Sequence, residues 1–459
     1  MNKSSAKNST LIVAGISYFL IAFMGSSLNV ALPSIGKEFS MDAILLSWVA
    51  TSFFLASAVF IVPFGRVGDI YGRKRTFVWG IVIYTFSSLF AALSTTPYML
   101  IIFRIMQGVG GAMIFATGMA MLTSAFGAGE RGRALGINIA AVYLGLTIGP
   151  VLGGILTQNF GWRSIFIVNV ALGIIVIAIT ILKLEEDMTE AKGEKFDFRG
   201  SLIYGLSIIF LMYGFSVLPR DSGLLLIVAG ITGISLFIKF EEKAESPVLD
   251  MDIFRRNRVF TYSNIAAFIS YSATFSVGFL LSLYLQYIKG LSPQDTGFVL
   301  LSQPFIMTVF SPYAGKLSDR IEPRKIASLG MAITTIGISL LILLDKNTSL
   351  EFIILSIVIL GFGFALFSSP NTNAIMSSVE KKFYGVASAT RGTMRLTGQM
   401  LSMGIVMLIF SLYIGRVQIT PGNYLAFLKS TRIIFLIFTL LCILGIYISL
   451  KTGDSVISE

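Results

Sequence analysis

Residues 65–75 read GRVGDIYGRKR, and residues 315–325 read GKLSDRIEPRK. Both begin Gly-x-x-x-Asp, both end in basic residues, and they lie 250 positions apart. Long apolar runs flank each stretch. Gly65 and Gly72 permit a tight reversal between two helices. Asp69 can accept hydrogen bonds from the open N-terminus of the following helix, or pair with Arg73 as a latch between two arrangements of the chain. Asp319 holds the matching place in the second copy. One copy alone reads equally well as a basic turn that serves only topology. Two copies at matching positions indicate a duplicated unit, and duplicated halves with a solute site between them near the bilayer midplane are a common transporter plan.

Working outward, apolar runs long enough to span a membrane lie near residues 10–32, 44–64, 76–94, 98–124, 134–157 and 163–182. Two more lie near 200–218 and 224–238, and six more near 259–287, 297–314, 326–344, 350–371, 385–413 and 428–450. Each is about 20 residues or slightly short of it, the length a helix needs to cross the hydrocarbon. The 224–238 run is the weakest, which leaves twelve or thirteen spans as alternatives to fourteen. The two motifs then join the second and third spans of two sets of six. Composition agrees. The chain has 459 residues, 55% hydrophobic and 13% charged, with a mean hydropathy of +0.82. Soluble domains carry about 25% charged residues, so lipid must be the solvent for most of this surface. The first apolar run is too long for a signal-peptide core, and many more follow.

The expected fold is all-α and polytopic: two pseudo-symmetric six-helix bundles plus two inserted helices. The N-terminal bundle covers 1–187, the two linker helices and their charged loops 188–258, and the C-terminal bundle 259–459. The charged loops are KLEEDMTEAKGEKFDFR at 183–199 and KFEEKAESPVLDMDIFRRNR at 239–258. With both termini in the cytoplasm, 24 of the 35 Lys and Arg residues fall on the cytoplasmic side, eight outside and three within helices. That bias fits the positive-inside rule. It also explains the net charge of +11 as topology and contact with membrane lipid, not nucleic-acid binding.

Several chemistries are excluded. One cysteine, Cys442, cannot make a disulfide framework or thiolate cluster, and zero histidines remove the usual metal ligand and proton shuttle. No nucleophile–base pair and no phosphate-cradling loop appears, so neither enzyme chemistry nor a cofactor or metal is expected. GVGGA at 108–112 lies inside an apolar run, not after a strand, and reads as packing. With no ATP-binding loop, energy must come from gradients.

These residues resemble the major facilitator superfamily and, within it, the 14-helix drug:proton antiporter family. GRVGDIYGRKR is similar to the loop signature G-x-L-A-D-x-x-G-R-K, with Val67 and Gly68 as departures. LIIFRIMQGVGGA at 100–112 looks like the helix 4 signature, with Arg104, Gln107, Gly108 and Gly110 in place. GLTIGPVLGG at 145–154 resembles the helix 5 signature associated with exporters. WRSIFIVN at 162–169 and LNVALP at 28–33 look like further features of the 14-helix family. The resemblance implies a monomeric exporter of drugs or other amphipathic small molecules in the plasma membrane, working by alternating access with protons as coupling ion. It also implies a role for Arg104 in proton coupling. Helix 5 can be read physically as well. Gly145, Gly149 and Gly153 recur every four residues and make one flat face for a neighbouring backbone. Pro150 removes a hydrogen bond to the Leu146 carbonyl and bends the helix. A bent sliding contact suits gating, and ordinary tight packing is the alternative.

The resemblance breaks in the first helix. The family's acid stands five positions before the asparagine of N-V-A-L-P, and here that position is Met24. All 24 acidic residues fit into loops, termini or helix ends. A proton carrier needs a group whose affinity changes as access alternates, and Asp42, Asp295 and Asp69 are the remaining peripheral candidates. Arg391 and Arg395 share a helix face four residues apart, where like charges repel unless an anion or backbone carbonyls intervene. Lipid-edge snorkelling and a structural role are their alternatives. The expected cavity lining is Ser26, Ser27, Asn29, Gln107, Asn138, Tyr143, Asn264, Gln303, Asn371, Arg391 and Arg395, and the expected gating set is Asp69, Arg73, Arg104, Gly145, Gly149, Pro150, Gly153 and Asp319. Tyr271, Asn169, Asn373 and Gln399 can also hydrogen-bond inward. A facilitator, or a lipid or anion transporter without proton coupling, is the alternative function. A membrane sensor that moves nothing would need a larger soluble region than these loops.

Overall fold

The computed structural model describes residues 3–126, 130–183, 196–241, 254–255, 257–318, 320–380 and 384–451. Among them there is no strand, and fourteen helices are long and apolar enough to cross a membrane. The first half holds α1 (Lys3–Glu38), α2 (Ala43–Tyr71), α3 (Arg73–Ala92), α4 (Pro97–Ala125), α5 (Arg131–Phe160) and α6 (Arg163–Lys183). Then come α7 (Phe198–Val217) and α8 (Asp221–Glu241). The second half holds α9 (Arg258–Ile288), α10 (Pro293–Ser318), α11 (Pro323–Leu341), α12 (Leu350–Ser377), α13 (Tyr384–Tyr413) and α14 (Tyr424–Leu450). The weak 224–238 run is thus a full helix. The expected boundary at 187/188 lies outside the described residues.

Helix ends follow local chemistry. Asp42 caps α2, accepting from the Leu45 N–H at 2.7 Å, and Asn257 caps α9 through the Phe260 N–H at 2.9 Å, each satisfying a donor that the first turn leaves open. Gly72, at φ +116°, joins α2 to α3 with nothing else between them; that backbone conformation favours glycine. Gly65 does not share this role. It lies inside α2, beside Ala116 of α4, so the reversal rests on Gly72 alone.

Packing repeats between the halves. In the first, α1 packs on α5 and α6, α4 on α2 and α3, and α3 on α6. In the second, α9 packs on α13 and α14, α12 on α10 and α11, and α11 on α14. The halves meet along two equivalent seams, α5 with α10 and α13 with α2. The inserted α7 packs on α2 and α13, and α8 rests on α7. Only 17% of the apolar stretch of α8 is buried within the protein, against 78% for α2, which puts α8 at the lipid periphery.

The core is distributed unevenly. At the end away from the basic loops, one apolar cluster runs through both halves, including Leu28 and Ile35 of α1, Leu46 of α2, Leu280 and Leu283 of α9, Leu300 of α10 and Phe435 of α14. Toward the basic end the clusters are separate. Ala14, Tyr18, Leu122 and Phe126 belong to the first half; Ala266, Met331 and Phe367 and Phe260, Ile375 and Ala387 belong to the second. The halves are fused at the far end. A further cluster, including Phe54 and Ile61 of α2 with Leu396 and Met400 of α13, still crosses the α2/α13 seam, and away from that seam the clusters toward the basic end lie within single halves.

Candidate functional site

Polar side chains converge where the halves begin to part. Tyr143 of α5 lies beside Ser311 of α10 and Ser368 of α12, with Tyr271 and Arg391 in electrostatic range. Arg395 of α13 crosses to the first half, its guanidinium 4.9 Å from the ring centroid of Phe115 on α4. Tyr271, Arg391, Tyr18 and Tyr143 surround it electrostatically. Tyr18 is held in place by its hydroxyl, which donates to the Phe115 carbonyl at 3.2 Å. Farther along the same seam, the hydroxyls of Thr147 on α5 and Thr308 on α10 are 3.0 Å apart. Of the predicted lining, Tyr143, Arg391 and Arg395 come together here. Tyr18, Phe115, Ser311 and Ser368 are partners that sequence reading missed, because each belongs to a different helix and none carries a motif.

The polar residues of α1 do something else. Ser27 is fully buried and donates to the Gly149 carbonyl at 2.9 Å. Ser26 donates to the Ala22 carbonyl at 3.0 Å and the Gly145 carbonyl at 3.2 Å. Both serines lie in the seam between α1 and α5. A methyl group on Gly145 would stand 2.7 Å from the Phe19 carbonyl oxygen, on Gly149 1.9 Å from Ser26 Oγ, and on Gly153 2.7 Å from Ser27 Cα. The three glycines thus let α1 and α5 touch backbone to backbone. The opposite face of α5 meets α10: a methyl on Gly297 would come within 2.2 Å of the Pro150 carbonyl oxygen. Space adjoins Gly25, where an added methyl meets nothing within 4 Å, so the open face of α1 is the glycine next to the serines.

Two other predicted lining residues, Gln107 and Asn264, are engaged within their own halves. Gln107 is fully buried and donates to Ser88 Oγ of α3 at 2.7 Å. Its amide oxygen accepts from Arg104. Arg104 also donates to the Val49 carbonyl at 3.1 Å and lies 4.7 Å from the Phe53 ring centroid. Gln107 therefore completes a hydrogen-bonded cage around Arg104 between α2, α3 and α4. Asn264 is buried and donates to the Phe260 carbonyl of its own helix at 2.9 Å. Asn138 and Asn371 are buried too; Gln303 is half-buried, with its backbone against Gly361 of α12. Met24, in place of the family's acid, packs its sulfur 3.2 Å from the amide nitrogen of buried Asn169.

The peripheral acids are occupied. Asp42 caps α2. Asp295 accepts from Ser292 Oγ at 2.6 Å while its own N–H donates back at 3.1 Å. Asp69 accepts from Arg73 Nε at 2.9 Å, and Arg73 also donates to Ser124 Oγ of α4 at 2.9 Å. This pair ties α2, α3 and α4 within one half. In the second half Asn373 of α12 donates to Ser318 Oγ of α10 at 3.1 Å, joining the equivalent helices. Asp319 lies outside the described residues.

The far-end closure has a readable cause. Pro33 lies inside α1 and has no N–H, so the Asn29 carbonyl, four residues earlier, loses its helical donor. Ser282 of α9 supplies one across the halves, at 2.6 Å. Gln286 donates to the next carbonyl, Val30, at 2.9 Å and to Ser282 Oγ at 3.1 Å. Gln286 stands in a π-helical turn, Tyr284–Ile288, a distortion frequent at functional positions. The Asn29 side chain lies against Gly278 of α9, so it too bridges the halves. Pro33 was the visible signal for this seal.

Known proteins carry the same plan. The sequence matches the family model of the Major Facilitator Superfamily over residues 14–260 and 264–455. The chain belongs to the major facilitator superfamily. It is 34% identical to riboflavin transporter RibZ of Clostridioides difficile over 84% of this chain and 84% of that protein. It is 30% identical to multidrug resistance protein Stp of Mycobacterium tuberculosis over 86% of this chain and 74% of that one. Its resemblance to drug-efflux members of the superfamily therefore holds. Among solved structures, a bacterial homologue of the lysosomal transporter Spinster superposes with a TM-score of 0.71 at 15% identity, covering 97% of both chains. That likeness confirms the major facilitator fold. With fourteen apolar helices, the superfamily member is a multi-pass plasma-membrane transporter of small molecules.

Proposed function

We propose that this transporter exports amphipathic small molecules from the cytoplasm by rocking its two halves about the seams α5/α10 and α2/α13. The basic end faces the cytoplasm, in keeping with the 24-to-8 distribution of Lys and Arg. Both termini then lie inside, and the arrangement described above is open inward. One observation carries this reading: at the far end the halves share one apolar cluster and α9 bonds the Asn29 and Val30 carbonyls of α1, while toward the basic end, apart from the α2/α13 seam, the clusters lie within single halves. The export direction draws on the relative named for multidrug resistance. Flavins join amphipathic dyes as solutes to try, because another relative is named a riboflavin transporter.

A second reading, transport without proton coupling, is favoured by a specific observation. Asp42 caps α2, Asp295 is hydrogen-bonded to Ser292 in the first turn of α10 and Asp69 is paired with Arg73, while the position of the family's acid is the buried Met24. Purified protein in liposomes decides between them. Coupled export predicts that an imposed pH gradient drives uphill dye accumulation and that collapsing the gradient abolishes it. Uncoupled transport predicts equilibration at the same rate with or without the gradient. No protein-dependent movement of any solute would refute both.

A further inference from the structure

The two arginines of α13 have no counterpart in the first half. Matching glycines set the register between halves. Gly145 of α5 approaches the Phe19 carbonyl, Ala22 Cβ and the Phe23 nitrogen of α1; Gly398 of α13 approaches the Phe268 carbonyl, Tyr271 Cβ and the Ser272 nitrogen of α9. Counting back equally from each glycine pairs Arg391 with Asn138 and Arg395 with Val142. The packing plan common to both halves therefore runs without a charge at either place, and the arginines answer some other need.

Their surroundings lack negative charge. Arg395 Nε is buried with no hydrogen-bond partner, and its guanidinium faces the Phe115 ring and the neutral tyrosines 18, 143 and 271. Among the described residues, no carboxylate pairs with Arg391 or Arg395. Two cations one helical turn apart repel. An oxyanion between them would relieve that repulsion and accept charge-assisted, fork-shaped hydrogen bonds. Aromatic rings from both halves frame the same spot, with Phe364 of α12 edge-on to Tyr271 at 5.6 Å.

We propose that Arg391 and Arg395 form the solute site's anion-binding element, selecting aromatic compounds that carry a carboxylate or phosphate. The oxygens lie between the guanidinium groups and the ring lies against Phe115, Tyr143 and Tyr271. Because Arg395 reaches Phe115 in the other half, bound anion contacts both halves and biases their rocking. This rests on the transporter reading and adds the substrate class.

The test uses two dyes sharing a xanthene ring system, anionic fluorescein and cationic rhodamine 6G. Binding is read by fluorescence anisotropy on purified protein in phosphatidylcholine nanodiscs, and transport in liposomes. Wild type is expected to bind fluorescein more tightly than rhodamine 6G. Arg391→Gln and Arg395→Gln should each weaken fluorescein binding by about tenfold or more, the scale of one lost hydrogen bond to a charged group, without weakening rhodamine 6G. Arg395→Lys should recover part of the loss, because it keeps the charge but not the fork. If phosphatidylglycerol in the nanodisc competes with fluorescein in wild type and not in the glutamine variants, the anion site stands and its occupant is a lipid headgroup. Preference for rhodamine 6G, or unchanged fluorescein affinity in folded glutamine variants, overturns the proposal. Arginine-independent carriage of rhodamine 6G alone would leave the transporter reading intact while removing the anion site; failure to bind or carry either dye would remove both.

Discussion

Removing the two donors that α9 lends to α1 should open the far end. In the closed arrangement Ser282 Oγ donates to the Asn29 carbonyl at 2.6 Å and Gln286 Nε2 to the Val30 carbonyl at 2.9 Å. Pro33 leaves Asn29 without a helical donor, and the closed apolar seam offers little water in its place. Ser282→Ala with Gln286→Leu deletes both bonds while keeping bulk. Each neutral bond is worth about 0.5–1.5 kcal/mol net, so the closed arrangement loses about 1–3 kcal/mol. In the open arrangement water reaches both carbonyls and the loss is small. The equilibrium should therefore move about 5- to 150-fold toward opening. A far-open population near 1% would rise to about 5–60%. The assay is a spin-label distance between cysteines placed at Lys37 and Lys289, at the ends of α1 and α9. The single native cysteine, Cys442, is buried, so background labelling is small. A longer-distance population should grow in the double variant and lie between the two in each single variant. Unchanged distances in folded double variant would refute the claim that these bonds hold the far end shut.

Gly153→Leu should cost about 1–3 kcal/mol through overpacking, because even a methyl there meets Ser27 Cα at 2.7 Å; a melting temperature equal to wild type would contradict the backbone contact. Ser27→Ala should lower stability by about 0.5–1.5 kcal/mol and leave the KM for transport unchanged, since the hydroxyl bonds the Gly149 carbonyl; a shifted KM would return Ser27 to the solute path. Gln107→Leu should reduce folded protein in the membrane, leaving Arg104 without the amide that partners it at about 1–3 kcal/mol or more; normal yield and melting would argue that the cage is dispensable. Asp69→Asn should cost only about 1 kcal/mol, since the carboxylate is 34% exposed and screened; a complete loss of folded protein would show a larger role for the pair.

The fold was legible because lipid imposes a coarse code. Fourteen apolar runs and the duplicated motif at 65–75 and 315–325 required only length and repetition, and the run read as weakest belongs to a full apolar helix, α8. The helix 5 glycines were legible as a contact face, since period four on a helix has one geometric meaning. The solute site was less so. Sequence marks a residue as polar but not which neighbour receives it. Ser26, Ser27 and Gln107 looked inward and do point inward, yet toward α5 and α3 and not toward an open space. Gly65 and Gly72 looked alike as turn residues, but only Gly72 takes the positive φ. Arg391 and Arg395 were visible as anomalies because charges in a span need a reason; their tyrosine and phenylalanine partners come from four other helices and left no trace in local spacing.

The central claim is that the halves rock as units, so opening at one end accompanies closing at the other. Paired labels test it directly: one pair at the basic end, on Tyr71 of α2 and Ile321 after α10, and one at the far end, on Tyr98 of α4 and Leu425 of α14, all on exposed positions. As solute or the Ser282→Ala/Gln286→Leu background shifts the equilibrium, the basic-end distance should shorten while the far-end distance lengthens in the same proportion of molecules. Distances that stay fixed at both ends, or that lengthen together, would contradict it.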